Sequence, residues 1–289
     1  MERILVSLDG SPLSESALPL AAALARDYEA DLILFRAVRI AGIDALDPEF
    51  EVDVKGEAES YLIRIASQLE ASSPKRVRWA VEEGVADRAI ADAAAQHDAD
   101  LVTMATHGRG GLTRLLLGSV AARVVQQAPV PVLLVRGEPA WLGGGIGDIL
   151  VPLDGSELSE GVLPVVERLA GPRGFAVHLL HVVEPASPSV AAELAAQRDA
   201  VLAERRATAE DYLLKIGGPL EANGLRVRHA VRVGPVVEVI RAYVEEASTR
   251  LVAMTTHGRT GLERLLGSAA EQVLREVAVP VLLWRARPA

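Results

Sequence analysis

One long string occurs twice in this chain, and that repetition limits what the chain can fold into more than any other feature. From Met104 to Val135 it reads MATHGRGGLTRLLLGSVAARVVQQAPVPVLLV, and from Met254 to Trp284 it reads MTTHGRTGLERLLGSAAEQVLREVAVPVLLW. Upstream, Ile4-Leu5-Val6-Ser7-Leu8 before Asp9-Gly10-Ser11 returns as Ile149-Leu150-Val151-Pro152-Leu153 before Asp154-Gly155-Ser156, an offset of 145 residues. Gly84 matches Gly234 at an offset of 150 and Gly118 matches Gly267 at 149, so small insertions separate two copies of one unit. With 289 residues, each copy is long enough to bury its own core. Domains over residues 1–136 and 148–289 are expected, joined by a linker over 137–147 in the turn-rich stretch RGEPAWLGGGIGD. Trp141 is the large residue there, and packing against a domain is its expected role. Gly143-Gly144-Gly145 precedes a strand, whereas a dinucleotide fingerprint must follow one and open a helix.

Within each copy, strand and helix patterns alternate. In the first, Ser14 to Ala25 has apolar residues at helical spacing, Asp31 to Val38 is a buried strand, Glu57 to Ala71 is amphipathic, Val77 to Val81 alternates as a strand, and Ala86 to Gln96 is a helix. A loop with Asp44, Asp47 and Pro48 lies between the second strand and its helix. The second copy gives strand Ile149 to Leu153, helix Ser159 to Leu169, strand Ala176 to Val183, a helix from about Val190 to Ile216, strand Val227 to Val231 and helix Val236 to Ala247. Such alternation is the pattern of a parallel sheet with helices on both faces, linked by right-handed crossovers.

The repeated string then reads as strand, glycine-rich loop, helix and strand. The loop should sit at the carboxyl end of a parallel strand, where Gly118-Ser119 and Gly267-Ser268 open helices whose unpaired N–H groups and dipole favour an anion such as phosphate. Gly-Ser is also an ordinary helix start with serine as the N-cap. A simple cap, however, needs neither the Thr-His-Gly-Arg in each loop nor the basic residues Arg114 and Arg264 ahead of each Gly-Ser.

Composition narrows the guest. A net charge of −9 argues against non-specific nucleic-acid binding, and 3% aromatics leave little for stacking bases. Absence of cysteine excludes disulfides, thiolate metal sites and cysteine nucleophiles. No apolar run is long enough for a bilayer and nothing reads as a leader, so no membrane association and a cytoplasmic location are expected.

LVSLDGS and LVPLDGS at the first strands, LLHVV from Leu179 to Val183, Gly84 and Gly234 after the third strands, and THGRGGLTRLLLGS with PVLLV at the end resemble the universal stress protein family in tandem form. The resemblance implies an α/β fold of two tandem doubly wound, Rossmann-like domains, each an open five-stranded parallel sheet of order 3-2-1-4-5 with helices on both faces. It also implies a stress-related regulatory protein and divides the family into members that bind ATP through Gly-x2-Gly-x9-Gly-(Ser/Thr) and members that do not. Here Gly108, nine residues, Gly118 and Ser119 match, while Ala105 replaces the leading glycine.

By position, the resemblance assigns the nucleotide site of the first copy to Ser7, Leu8, Asp9, Ala37, Met104, Ala105, Gly108, Arg109, Gly111, Gly118, Ser119 and Val120. In the second copy it assigns Pro152, Asp154, Val182, Met254, Gly258, Arg259, Gly267 and Ser268. Asp9 and Asp154 either contact the nucleoside or cap the following turn. Met104 and Met254 either line the base or fill core. The second copy has Thr255 at the leading position and only eight residues between Gly258 and Gly267. One missing residue moves a chain by up to ~3.5 Å, so its helix start is expected to shift and its site to be the poorer one.

The cofactor so implied is ATP, or ADP or AMP, with or without Mg. Hydrolysis would need a base or water-positioning group by the phosphates. His107 and His257 are the candidates, although a neutral imidazole hydrogen-bonded to loop backbone reads the same. Neither a Gly-x4-Gly-Lys-(Ser/Thr) loop nor a Ser-Gly-Gly-x-Asp-Ser loop is present, so binding is expected rather than catalysis, with slow hydrolysis as the alternative. The edge strands Val130 to Val135 and Val279 to Trp284 are expected to pair in an intramolecular pseudo-dimer, with a further homodimer as an additional level and a non-nucleotide interaction protein as a third reading.

Overall fold

The computed structural model describes residues 1–39, 48–70, 75–106, 117–137, 145–185, 195–256 and 267–285. They form two compact units: Met1–Ile146 with Pro280–Trp284, and Gly147–Val279 with Arg285–Ala289.

In the first unit, β1 (Arg3–Ser7), β2 (Asp31–Val38), β3 (Val77–Glu83), β4 (Leu101–Ala105) and β5 (Val132–Val135) run parallel in the order β3-β2-β1-β4-β5. Every residue of β4 and β5 is buried, as expected of strands covered on both faces, whereas edge strand β3 is largely accessible. Helices α1 (Pro12–Glu15), α2 (Leu18–Tyr28), α3 (Pro48–Glu70), α4 (Ala86–Gln96) and α5 (Ser119–Gln127) make the crossovers. A sixth strand, β10 (Val281–Trp284), belongs to the second repeat in sequence but to this unit in space. It pairs antiparallel with β5, Val281 opposite Leu134 and Leu283 opposite Val132.

The second unit has β6 (Ile149–Leu153), β7 (Ala176–Val183), β8 (Arg226–Val233) and β9 (Leu251–Thr255), parallel in the order β9-β6-β7-β8. Its helices are α6 (Glu157–Glu160), α7 (Leu163–Ala170), α8 (Ala195–Ala222), α9 (Val236–Ala247) and α10 (Ser268–Glu276). Among the described residues no helix is long and apolar enough to cross a membrane.

Prolines account for most of the departures from the expected boundaries. The single helices expected over Ser14 to Ala25 and Ser159 to Leu169 are each two, because Pro19 and Pro164 sit in the first turn of α2 and α7, where the missing N–H costs nothing. Likewise Pro48, read as part of a loop, is the first residue of α3. At the other end of the third helix of the second copy, Gly217-Gly218-Pro219 reads as a stop after Ile216, yet α8 continues through Pro219 to Ala222. Gly217 serves close packing instead. A Cβ there would collide with Nε2 of the His229 ring of β8, with Cε1 at 3.0 Å and Cδ2 at 3.2 Å. Trp141 lies outside the described residues.

Candidate functional site

Each first strand ends in a tight turn built by Asp-Gly-Ser. Gly10 (φ 84°) and Gly155 (φ 82°) take the left-handed conformation that glycine adopts without a steric penalty. Asp9 Oδ1 accepts from Ser11 N at 2.8 Å, and Asp154 Oδ1 accepts from Ser156 N at 3.0 Å. The serines then cap α1 and α6, their Oγ atoms accepting from Ser14 N at 3.1 Å and Ser159 N at 3.2 Å. The turn-capping reading of both aspartates is therefore realised. A carboxylate offers about four lone-pair sites, so this role does not exhaust it.

Next to these turns, β4 and β9 hand over to the glycine-rich loops. Gly118 N donates to Thr106 O at 2.9 Å, and Gly267 N donates to Thr256 O at 2.7 Å. Both glycines are N-caps with nearly the same backbone, φ −59° with ψ 143° and ψ 144°, and neither helix start has a side-chain cap. Ser119 and Ser268 are thus the first helical residues rather than the caps, and both are exposed. Eleven residues (107–117) close the gap in the first unit and ten (257–266) in the second, yet the anchoring hydrogen bond is the same. The expected displacement of the second helix start is not found, because the strand-end threonine carbonyl fixes it.

In the second unit the described site residues converge, apart from the exposed Ser268, which does not line the cleft they form. Pro152, Asp154, Val182, Met254 and Gly267 line a cleft of about 120 Å³, together with Val236 and Ile240 of α9. Met254, 9% exposed, is at once core and cleft wall. In the first unit, Ser7 lies beside Met104 in the ladder and Leu8 N donates to Phe35 O at 2.8 Å, two residues before Ala37. These residues, with Asp9, Ala105, Gly118, Ser119 and Val120, occupy the carboxyl ends of β1, β2 and β4 and the start of α5. Gly108, Arg109, Gly111, Gly258 and Arg259 lie outside the described residues, as do His107, Arg114, His257 and Arg264. Sequence reading missed Val236 and Ile240, whose apolar spacing on α9 signalled only a buried face.

Two further polar features stand near the sheets. Tyr61 and Tyr212 donate to Glu15 Oε1 and Glu160 Oε1, each at 3.0 Å. Burial, reinforced by these carboxylates, pushes both phenols well above the usual 10.0. His178 of β7 is fully buried, its Nδ1 3.2 Å from Tyr243 Oη and its Nε2 3.6 Å from Asp148 Oδ2. Burial pushes its pKa down, Arg228 adds to the effect and Asp148 opposes it. Among the described residues no group of three or more His, Asp or Glu is placed to hold a metal ion.

The family model for universal stress proteins matches this sequence twice, over residues 1–136 and 145–285. The chain belongs to the universal stress protein family. Among its relatives, a universal stress protein of Methanocaldococcus jannaschii is 31% identical over 140 residues, 47% of this chain and 82% of that protein. A Mycobacterium bovis universal stress protein is 33% identical over 196 residues, 65% of this chain and 63% of its own length. In fold, this universal stress protein is similar to one from Archaeoglobus fulgidus, with a TM-score of 0.74 at 20% identity over 98% of both chains.

Proposed function

We propose that this universal stress protein is a regulatory protein that binds an adenine nucleotide, ATP, ADP or AMP, with or without Mg, at the carboxyl ends of its strands. One observation carries the reading. Gly118 and Gly267 hold backbone angles open to any residue, so their lack of a side chain is not a demand of the turn. What a side chain would obstruct is the space in front of an uncapped helix start, where phosphate oxygens accept backbone N–H bonds. The adjoining cleft, at about 120 Å³, is smaller than the ~300–1,000 Å³ of sites that enclose a whole ligand. It suits the nucleoside end of a nucleotide, with Met254 and Val182 against the base and the phosphates toward Gly267. Asp9 and Asp154 are the acceptors for sugar hydroxyls.

The first unit is the stronger site in this reading, because it keeps nine residues between Gly108 and Gly118 where the second unit has eight. As both helix starts are anchored alike, the difference in affinity comes from the loop residues and not from the helix position. Signalling would follow occupancy rather than turnover. The test is twofold: mass spectrometry of nucleotide released when the freshly purified chain is denatured, and calorimetric titration of the apo chain with ATP. An adenine nucleotide in the first and binding in the second are expected. Absence of both removes the reading.

A further inference from the structure

Tyr61 on α3 and Tyr212 on α8 occupy matching places, each bonded to the glutamate that ends the short helix after the first strand. Their surroundings match by position as well. Arg36 and His181 each precede the second-strand residue of the candidate site, and Arg64 and Lys215 each follow the tyrosine by three. In the first unit two guanidinium groups lie over the Tyr61 ring, Arg36 Cζ at 5.2 Å and Arg64 Cζ at 5.3 Å from its centroid. Both are within the ~6 Å over which a ring face attracts a cation.

In the second unit no cation among the described residues takes that place. His181 meets Tyr212 edge-on, ring centroids 5.9 Å apart and planes at 71°, and among the described residues no guanidinium or ammonium lies over Tyr212. A cavity of about 710 Å³ opens there instead, lined by His181, Tyr212 and Thr208, by Glu184 and Glu204, and by Arg205. Its volume is that of a small-molecule site, ~300–1,000 Å³. Carboxylates outnumber the guanidinium on its walls, and Glu160 behind Tyr212 holds the phenol hydroxyl as a donor.

We propose that this cavity binds a small organic cation, a guanidinium or ammonium compound, whose charge takes over Tyr212 the place that Arg36 and Arg64 hold over Tyr61. The cavity touches the candidate nucleotide cleft only at Val182 and shares no polar side chain with it. Its occupancy is therefore measurable without nucleotide.

The probe is agmatine, titrated calorimetrically into the full chain at low ionic strength, with butylurea as the neutral control of similar shape. Agmatine should bind at one site and butylurea should not. Tyr212→Phe, which keeps the ring face, should retain agmatine, and Tyr212→Leu should weaken it on the order of tenfold. His181→Arg installs the first unit's own residue and should weaken agmatine as strongly by occupying the site. Because arginine is already accommodated at position 36, that variant reads the site even if Tyr212→Leu does not fold. No agmatine binding by the parent chain, equal binding of butylurea, or full affinity in His181→Arg would each overturn the assignment.

Discussion

Gly118 N donates to Thr106 O at 2.9 Å across the eleven residues 107–117, so the end of β4 and the start of α5 are tied together independently of the loop between them. Since Gly118 sits at φ −59°, valine there introduces no backbone strain. Gly118→Val should leave stability within about 1 kcal/mol of the parent, as is usual where no core contact is lost. ATP affinity should nevertheless fall at least about tenfold, equivalent to roughly 1.4 kcal/mol. Calorimetry and thermal melts on the same sample separate the two effects, and unchanged ATP affinity would contradict the placement of phosphate at this helix start.

The same background isolates the second unit. With the first site blocked by Gly118→Val, insertion of one leucine after Leu266 restores the nine-residue spacing before the helix glycine. Residual ATP binding should strengthen on insertion. If it weakens or stays the same, loop length does not limit the second site.

Turnover offers a separate check. The titratable residues repeated in both loops are His107, Arg109 and Arg114 with His257, Arg259 and Arg264, none of them a carboxylate. Arginine stays protonated and cannot activate water. A steady-state assay with magnesium-ATP should give turnover far below the ~1–100 s⁻¹ of kinases. Turnover near one per second that disappears in His107→Ala with affinity intact would make this an enzyme.

His178 makes stability pH-dependent. Its buried imidazole has a folded pKa below the unfolded value of 6.5, so the unfolded chain takes up a proton more readily than the native one. The stabilisation is fully present above 6.5 and is lost as pH falls below that value toward the lowered folded pKa, at no more than about 1.4 kcal/mol per pH unit. Melting temperatures measured from pH 8 to pH 5 should decline more steeply for the parent than for His178→Leu. Parallel declines would show that other groups control the acid limb.

Gly217 supplies a packing prediction. Alanine there would press against the His229 ring and should destabilise the chain by about 1–3 kcal/mol, the usual cost of overfilling a packed site. Gly217→Ala combined with His229→Ala should recover most of the loss, since the clash has two partners. Denaturant titration of the single and double variants measures the coupling directly.

Much of this architecture was legible because the repeat and the strand–helix alternation are both properties of periodicity. Continuous apolar runs such as Val132–Val135 can be satisfied only between two helical layers, which made the sheet readable from sequence. The candidate site was legible at its turns, where Asp-Gly-Ser needs a left-handed glycine. Helix ends were less so, because Pro19, Pro164 and Pro219 look like breaks in sequence but are compatible with helix starts or a packed helix in space. Nothing in the spacing joins His178 to Tyr243, 65 residues away, or Arg36 to Tyr61. Such contacts arise only when the crossovers bring different elements onto one face.

Strand β10 gives the duplication a thermodynamic meaning. Had the two copies been separate polypeptides, the β5–β10 ladder would be an association between molecules, populated according to their concentration and lost on dilution. On one chain the strand is tethered, and its effective concentration is set by the connecting polypeptide rather than by expression level. A cell making few copies of this protein and one making many would therefore hold the same pairing.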